Sequence, residues 1–240
     1  MAKGFFKHIP NINYDFKSDG KYYQAKDLFR KVSAWGPIQE GITGYSYYRI
    51  TEGERPDVVA SKLYGDATLY WTFFLVNENL QDMNDWPKSS QYFERFLSRK
   101  YSGKCLIAGS STDIVSLTSK LLLGEKVSQS SSSAYGFITS IDPTHNRITL
   151  NSVSGSFTTG TVTGADSEKS FTVTSVQNER DAVNHYTDSN DLKTTVSTGN
   201  TVITNEQYEL NLNEDKFLIR YIERKYIGSV VKEFQELIRD

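Results

Sequence analysis

The sequence is poor in the residues that most often carry chemistry. A single cysteine, Cys105, stands among 240 residues. That excludes an internal disulfide framework and a cysteine-based zinc cluster, and it fits a chain made in a reducing cytoplasm. Histidines are three, His8, His145 and His185. None has a carboxylate or cysteine partner at ligand spacing, and HExxH, CxxC and EF-hand patterns are absent. Each is read as a surface or loop residue, and no metal is expected. Charge excess is lacking too: 27 Lys and Arg against 29 Asp and Glu leave a formal charge of -2. Nothing is available to neutralise a phosphate backbone or an anionic lipid surface, so neither nucleic acid nor membrane is an expected partner. Apolar runs are short, as in Phe73-Phe74-Leu75-Val76, and none reaches bilayer length. Met1 to Pro10 carries Lys3 and Lys7 with no apolar stretch behind them, so no secretory signal is expected.

Nucleophile and cofactor motifs are missing in the same way. Gly41 and Gly44 flank Ile42-Thr43 with no Lys-Ser/Thr after them, which is neither a P-loop nor a dinucleotide fingerprint. Ser128 to Ser133 is serine-rich but holds no Gly-x-Ser-x-Gly elbow, and reads as a polar loop. Carboxylates cluster at Glu52, Glu54 and Asp57 and at Glu78, Asp82 and Asp85. A glycosidase needs such a pair across a sugar bond, but Glu52 and Glu54 fall in a turn and Asp57 in a helical first turn, where each has a local structural task. Cys105 reads as a buried thiol in a strand. No enzyme and no cofactor are expected.

What is present is a foldable chain, 38% hydrophobic and 13% aromatic. Rings at that density serve a core, or a surface buried against partners. Composition divides the chain into an aromatic, mixed-charge region 1–103, a Ser/Thr/Gly/Val-rich region 104–204 with no Trp, and a charged, amphipathic region 205–240. In the first, alternation at Ile12, Tyr14 and Phe16 predicts a strand, and Ala25 to Val32 a short helix with Leu28, Phe29 and Val32 on one face. Tyr45 to Ile50 predicts a strand. Pro56, with Asp57 beside it, opens a helix whose apolar side is Val58, Val59 and Leu63, and Gly65 ends it. Asp66 caps a second helix running to Asn77-Glu78-Asn79. Gln91 to Arg99 predicts a further helix, with Phe93, Phe96 and Leu97 inward. The middle region reads as β: Leu121 to Val127, Ala134 to Ile141, a turn at Asp142-Pro143-Thr144-His145-Asn146, Arg147 to Val153, and a strand with Phe171, Val173 and Val176. A small barrel or a sandwich both fit. Glu179 to Asn200 reads as a long loop. At the end, Phe217, Ile219 and Tyr221 alternate as in a strand. Ile227, Val230, Val231, Phe234, Leu237 and Ile238 then recur at helical spacing.

Tyr48-Arg49-Ile50-Thr51-Glu52-Gly53-Glu54-Arg55-Pro56-Asp57-Val58-Val59-Ala60-Ser61-Lys62-Leu63-Tyr64-Gly65-Asp66 resembles a LysM module. It has the Tyr-rich strand, the polar turn and the helix ending in Leu-Tyr-Gly-Asp, and a second helix closes near Asn77 and Asn79. Modules of that kind commonly bind N-acetylglucosamine polymers, which implies a peptidoglycan or chitin binder. A wider resemblance is to the LysM-like baseplate wedge protein of T4-type contractile-tailed bacteriophages. It rests on Ile9-Pro10-Asn11-Ile12-Asn13-Tyr14-Asp15-Phe16, Lys26-Asp27-Leu28-Phe29-Arg30, Glu54-Arg55-Pro56-Asp57, Leu63-Tyr64-Gly65, Tyr70 to Asn77, Asp85-Trp86-Pro87, and Asn213-Glu214-Asp215-Lys216 through Phe234. The order of these pieces is what is specific. The region 104–204 has no counterpart in it.

This second resemblance implies a LysM-like strand-helix-helix-strand core at about 45–87 and a C-terminal strand and helix, and with the β pattern read at 104–204 as an inserted small all-β module the expected fold is α+β. It also implies a structural virion component, a connector among wedge subunits, with the neighbouring wedge or a sheath initiator as further candidate partners. The second helix, with Tyr70, Trp71, Phe73, Phe74, Leu75 and Val76, is apolar nearly all round, as in a helix covered on more than one side. Partner subunits are one possible cover, and the chain's own N-terminal strand and C-terminal helix are the other. Tyr64, Tyr70, Trp71, Phe74, Asn77, Trp86 and Phe234 are the candidate protein-interaction residues, and glycan binding is the alternative function.

Overall fold

The structure, a computed structural model, describes residues 9–27, 44–109 and 121–238. Along the chain come β1 (Asn11–Tyr14), β2 (Tyr23–Lys26), β3 (Tyr45–Arg49), α1 (Pro56–Tyr64), α2 (Trp71–Val76), α3 (Ser90–Lys100) and β4 (Lys104–Ala108). Next are β5 (Lys126–Gln129), β6 (Ala134–Asp142), β7 (Arg147–Ser154), β8 (Gly160–Gly164), β9 (Ser170–Asn178), β10 (Val183–Thr187), β11 (Lys193–Thr194) and β12 (Thr201–Thr204). The chain closes with α4 (Asn205–Asp215), β13 (Leu218–Ile222) and α5 (Ile227–Leu237). The result is a mixed α and β fold, and its contacts fall into two units: Met1–Ser89 with Asn213–Asp240, and Ser90–Leu212.

In the first unit, β3, α1 and α2 precede the chain's departure, but no strand follows α2 within the expected core 45–87; the partner strand of β3 is β13, supplied when the chain returns. β13 lies antiparallel to β3, with Ile219 opposite Tyr48 and Arg220 opposite Tyr47. Local signals set the helix limits. Pro56 sits in the first turn of α1, where its missing N–H costs nothing, and Gly65 ends the helix at a φ of 78°, donating its N–H to the Ser61 carbonyl. Asp66 then accepts the Thr68 N–H at 2.8 Å, starting a 3-10 turn, Ala67–Tyr70, that leads into α2. Val59, Ala60 and Tyr64 of α1 are buried with Ile50, Phe73, Leu80, Trp86, Ile219, Ile222, Ile227 and Val230. Val58 is exposed rather than inward, because a 100° step from Val59 carries it off that face. A smaller cluster joins Ile9, Trp71, Phe234 and Ile238. In α5, Leu237 faces out, at the edge of the stripe formed by Ile227, Val230 and Phe234.

Ala25 and Lys26 belong to a strand, not a helix: β2 pairs antiparallel with β1, Ile12 opposite Ala25 and Tyr14 opposite Tyr23. The rest of the predicted helix, with Leu28, Phe29 and Val32, lies outside the described residues. Phe16 falls beyond β1, in a bend.

The second unit is built on a closed barrel with strand order β4-β7-β6-β5-β8-β9, in which β4 also pairs with β9. Its interior is aliphatic, including Leu106, Val127, Ile138, Ile148, Leu150, Val162 and Val173. Each such burial contributes roughly 1.5–3 kcal/mol. The Leu121 to Val127 stretch is a strand only from Lys126, and Leu122 to Gly124 turn. The region expected as a long loop, Glu179 to Asn200, instead contains β10 and β11, which form a three-stranded sheet of order β11-β10-β12 with β12 just beyond it. All five residues of β10 are half-buried, so no polar–apolar alternation marks it in the sequence. Helices α3 and α4 lie in this unit for most of their length. The Arg180 guanidinium ties them, reaching Glu94 at 2.7 Å and Glu206 at 2.7 Å.

Candidate protein-interaction surface

The seven candidate residues are mostly interior. Trp71 packs on Phe234 at 4.5 Å between ring centres, and Trp86 lies 6.0 Å from both Phe73 and Phe74. The Trp86 indole N–H donates to the Glu54 carbonyl at 2.7 Å. Tyr64 stacks on Phe73 at 5.7 Å, and burial pushes its hydroxyl pKa up to about 12. Tyr70 and Phe74 are half-buried and meet edge-on at 6.5 Å. The cover over α2 at Trp71 and Phe73 therefore comes from this chain, chiefly from Phe234 of α5 and from Trp86.

Asn77 does the most with its polar atoms. Its carboxamide donates to the Phe73 carbonyl at 2.8 Å and to the Arg220 carbonyl at 2.9 Å, and accepts the Arg220 N–H at 2.8 Å. One side chain thus ends α2 and occupies the outer edge of β13 as a further strand residue would. Asn213 works in the same manner, accepting the Lys88 N–H at 2.8 Å and donating to the Lys88 carbonyl at 3.0 Å. That joins the points where the chain leaves and re-enters the first unit. Neither tie was legible in the sequence, because an Asn side chain gives no hint of which distant backbone it will meet.

Three of the clustered carboxylates, Glu54, Asp57 and Asp85, have cationic partners. Glu54 accepts from the Thr51 N–H, the Tyr48 hydroxyl (both 2.9 Å) and the Lys62 ammonium. Burial pushes its pKa up, but these donors outweigh burial and hold it below the ordinary range. Asp57 pairs with Arg55, and Asp85 with Lys216. His145, expected without a carboxylate partner, has one: its Nδ1 lies 2.7 Å from Asp142 Oδ2, which Arg147 also meets at 3.0 Å. The three residues pin the β6–β7 turn. His185 touches Asn184 and the Tyr208 ring, and His8 lies outside the described residues. Cys105 is buried 3.6 Å from the Thr149 hydroxyl, and burial pushes its thiol up. Among the described residues no cluster of His, Cys, Asp and Glu could hold a metal ion, and no helix is long and apolar enough to cross a membrane.

Among the described residues, the first unit leaves the outer face of its two-stranded sheet uncovered. Side chains alternate across it, so Tyr48, Ile219 and Tyr221 point inward while Tyr47, Arg49, Leu218 and Arg220 point out, and Ile222, the last residue of β13, is buried outside that alternation. Tyr47 is 64% exposed and Leu218 51%. Together with Arg220, Val76 at the end of α2 and the loop Asn77 to Asn79 they line a groove of about 350 Å³. Tyr and Arg are the residues that most often anchor protein interfaces. The sequence placed the Tyr-rich strand correctly, but the groove depends on a partner strand some 170 residues away in the chain.

Residues 3–105 match the family described as base plate wedge protein 53. No curated protein matches the chain. The matched stretch holds β1 to β3, α1, α2, α3 and the first two residues of β4. It supports a baseplate wedge protein of a phage, with the structural role in the baseplate and the place in the virion tail that this family implies.

Proposed function

We propose that the chain is a connector in the baseplate wedge of a contractile phage tail, assembled in the host cytoplasm. The first unit would be a LysM-like core turned to protein–protein contact. It joins wedge subunits, and through them a neighbouring wedge or a sheath initiator, in a ring that rearranges on contraction. The observation that carries this reading is the agreement between the family match over residues 3–105 and the strand-helix-helix-strand order that β3, α1, α2 and β13 form. The role is scaffolding, not catalysis, and the ties made by Glu54, Asp57 and Asp85 agree with that. The barrel unit lies almost wholly outside the matched residues and adds a surface of its own.

Two assays on the full chain test this. Tails purified from the phage that encodes it should contain the chain in a fixed ratio to other baseplate proteins. Its absence from intact tails, or saturable retention of the purified chain on peptidoglycan, would instead favour a glycan-binding module.

A further inference from the structure

The two edges of the β3–β13 sheet are not alike. The Arg220 N–H and carbonyl point away from β3 and are taken by the Asn77 carboxamide. In an antiparallel pair, a residue opposite an outward-pointing one also points outward, toward the other edge. Tyr47 is opposite Arg220 and Arg49 is opposite Leu218. The flanking ladder bonds, Ile50 N–H to Phe217 and Glu223 N–H to Gly44, keep this alternation. The N–H and carbonyl of Tyr47 therefore face off the free edge of β3, and among the described residues nothing accepts from or donates to them. One edge is closed by the Asn77 side chain, and the other takes no partner among the described residues.

The face beside the open edge is basic and partly apolar. The Arg49 guanidinium is 72% exposed and approaches Glu214 only to 3.7 Å. Arg220 forms no ion pair among the described residues, and it lines the groove with Tyr47 and Leu218. Glu78, a carboxylate on the groove wall, stands on the loop rather than on the sheet. An added strand places alternate side chains on this face, directly beside Tyr47 and Arg49, with Arg220 one strand further on behind Tyr47. A carboxylate beside Arg49 meets that guanidinium directly, and a glutamate-length side chain beside Tyr47 reaches over it toward Arg220, while the main chain supplies the missing ladder.

Resting on the wedge reading above, we infer that the free edge of β3 takes an extended acidic segment of another baseplate protein as a third strand, with its carboxylates against Arg49 and Arg220. Residue-resolved hydrogen exchange on the full chain, free and in purified tails, tests this. In the free chain the Tyr48 amide, bonded across to Ile219, should be protected, and the Tyr47 and Arg49 amides should exchange quickly. In tails both should slow at least tenfold, and a chain with Arg49→Glu and Arg220→Glu, folded by its melting curve, should enter tails at least tenfold less. If the wild-type chain enters tails while those amides stay fast, or if the charge-reversed chain enters normally, the strand inference fails and the wedge role stands. If the wild-type chain never enters tails, the wedge reading itself fails. Protection that appears in the free chain with rising concentration would assign the edge to a second copy. Protection on adding a chito-oligosaccharide would assign it to a glycan. Either result overturns the inference.

Discussion

The two units bury their interiors by different means. The first is held by rings, with Trp71 on Phe234 and with Tyr64, Phe73, Phe74 and Trp86 in one chain of contacts. Its core is completed only when residues 217–238 return to it. The barrel is filled with branched aliphatic side chains from strands that follow one another closely, most joined by short turns. Buried carboxylates differ in kind as well. Glu54 is held partly by an ammonium group, that of Lys62, whereas Glu125 is held by neutral donors: the N–H groups of Leu122, Asp166 and Ser167 and the Ser167 hydroxyl. A unit closed by distant chain ends answers to its termini, and one closed by hairpins answers to its turns.

The sharpest way to separate them is truncation. A chain ending at residue 216 loses Ile219, Ile222, Ile227, Val230 and Phe234 from the first unit. It should lose that unit's fixed tertiary structure, seen as collapsed near-ultraviolet dichroism from Trp71 and Trp86. Barrel amides such as Leu106 and Ile148 should keep their exchange protection. Loss of protection in both would show that the units fold as one.

Smaller changes grade the comparison. Trp71→Ala should destabilise the first unit by about 3–5 kcal/mol. In a double-mutant cycle with Phe234→Ala the pair should show coupling of about 1 kcal/mol, measured by denaturant unfolding. Asn77→Ala leaves the Arg220 N–H and carbonyl and the Phe73 carbonyl without their partner, and should cost about 2 kcal/mol. Exchange of the Arg220 amide should rise selectively.

Acid should act on both units, and salt on one more than the other. Glu54 and Glu125 both have pKa values held down in the fold, in each case by donors that outweigh the upward push of burial. A depressed carboxylate contributes stability above its unfolded pKa, and that contribution is lost as pH falls through the lower folded value. Unfolding followed from pH 6 downward should therefore weaken both units below the ordinary glutamate range. Salt at about 1 M screens the Lys62 contribution but leaves neutral donors nearly untouched. The acid sensitivity of Glu54→Gln relative to wild type should shrink with salt, and that of Glu125→Gln should not. Gly164 makes the barrel site intolerant of bulk, since a Cβ there would lie 2.6 Å from the Ser167 hydroxyl and 2.8 Å from the Glu125 carboxylate.

Local features were the legible ones. Pro56, Gly65 and Asp66 set their helix limits from within a few residues, and Asp142 to Asn146 turns where its composition says. Ala25 and Lys26 suit a helix in isolation, and pairing with Ile12 and Asn11 overrides that preference. The β10 sheet was missed because polar, half-buried strands show no period. The exposed sheet face was hidden because it exists only once β13 lies beside β3. The apolar surround of α2 was seen correctly. Its cover at Trp71 and Phe73 comes from the chain itself, and this moves attention from Trp71 and Phe234 to Tyr47, Arg49 and Arg220.

The central claim is that the first unit is the part by which this chain is built into a baseplate wedge. An image of the intact baseplate at residue resolution tests it most directly. The account predicts the first unit enclosed among other wedge subunits, with the outer face of β3 and β13 in contact and a neighbouring strand along Tyr47 to Arg49. A baseplate lacking the chain, or one that holds it through the barrel alone with the β3 face open to solvent, would contradict it.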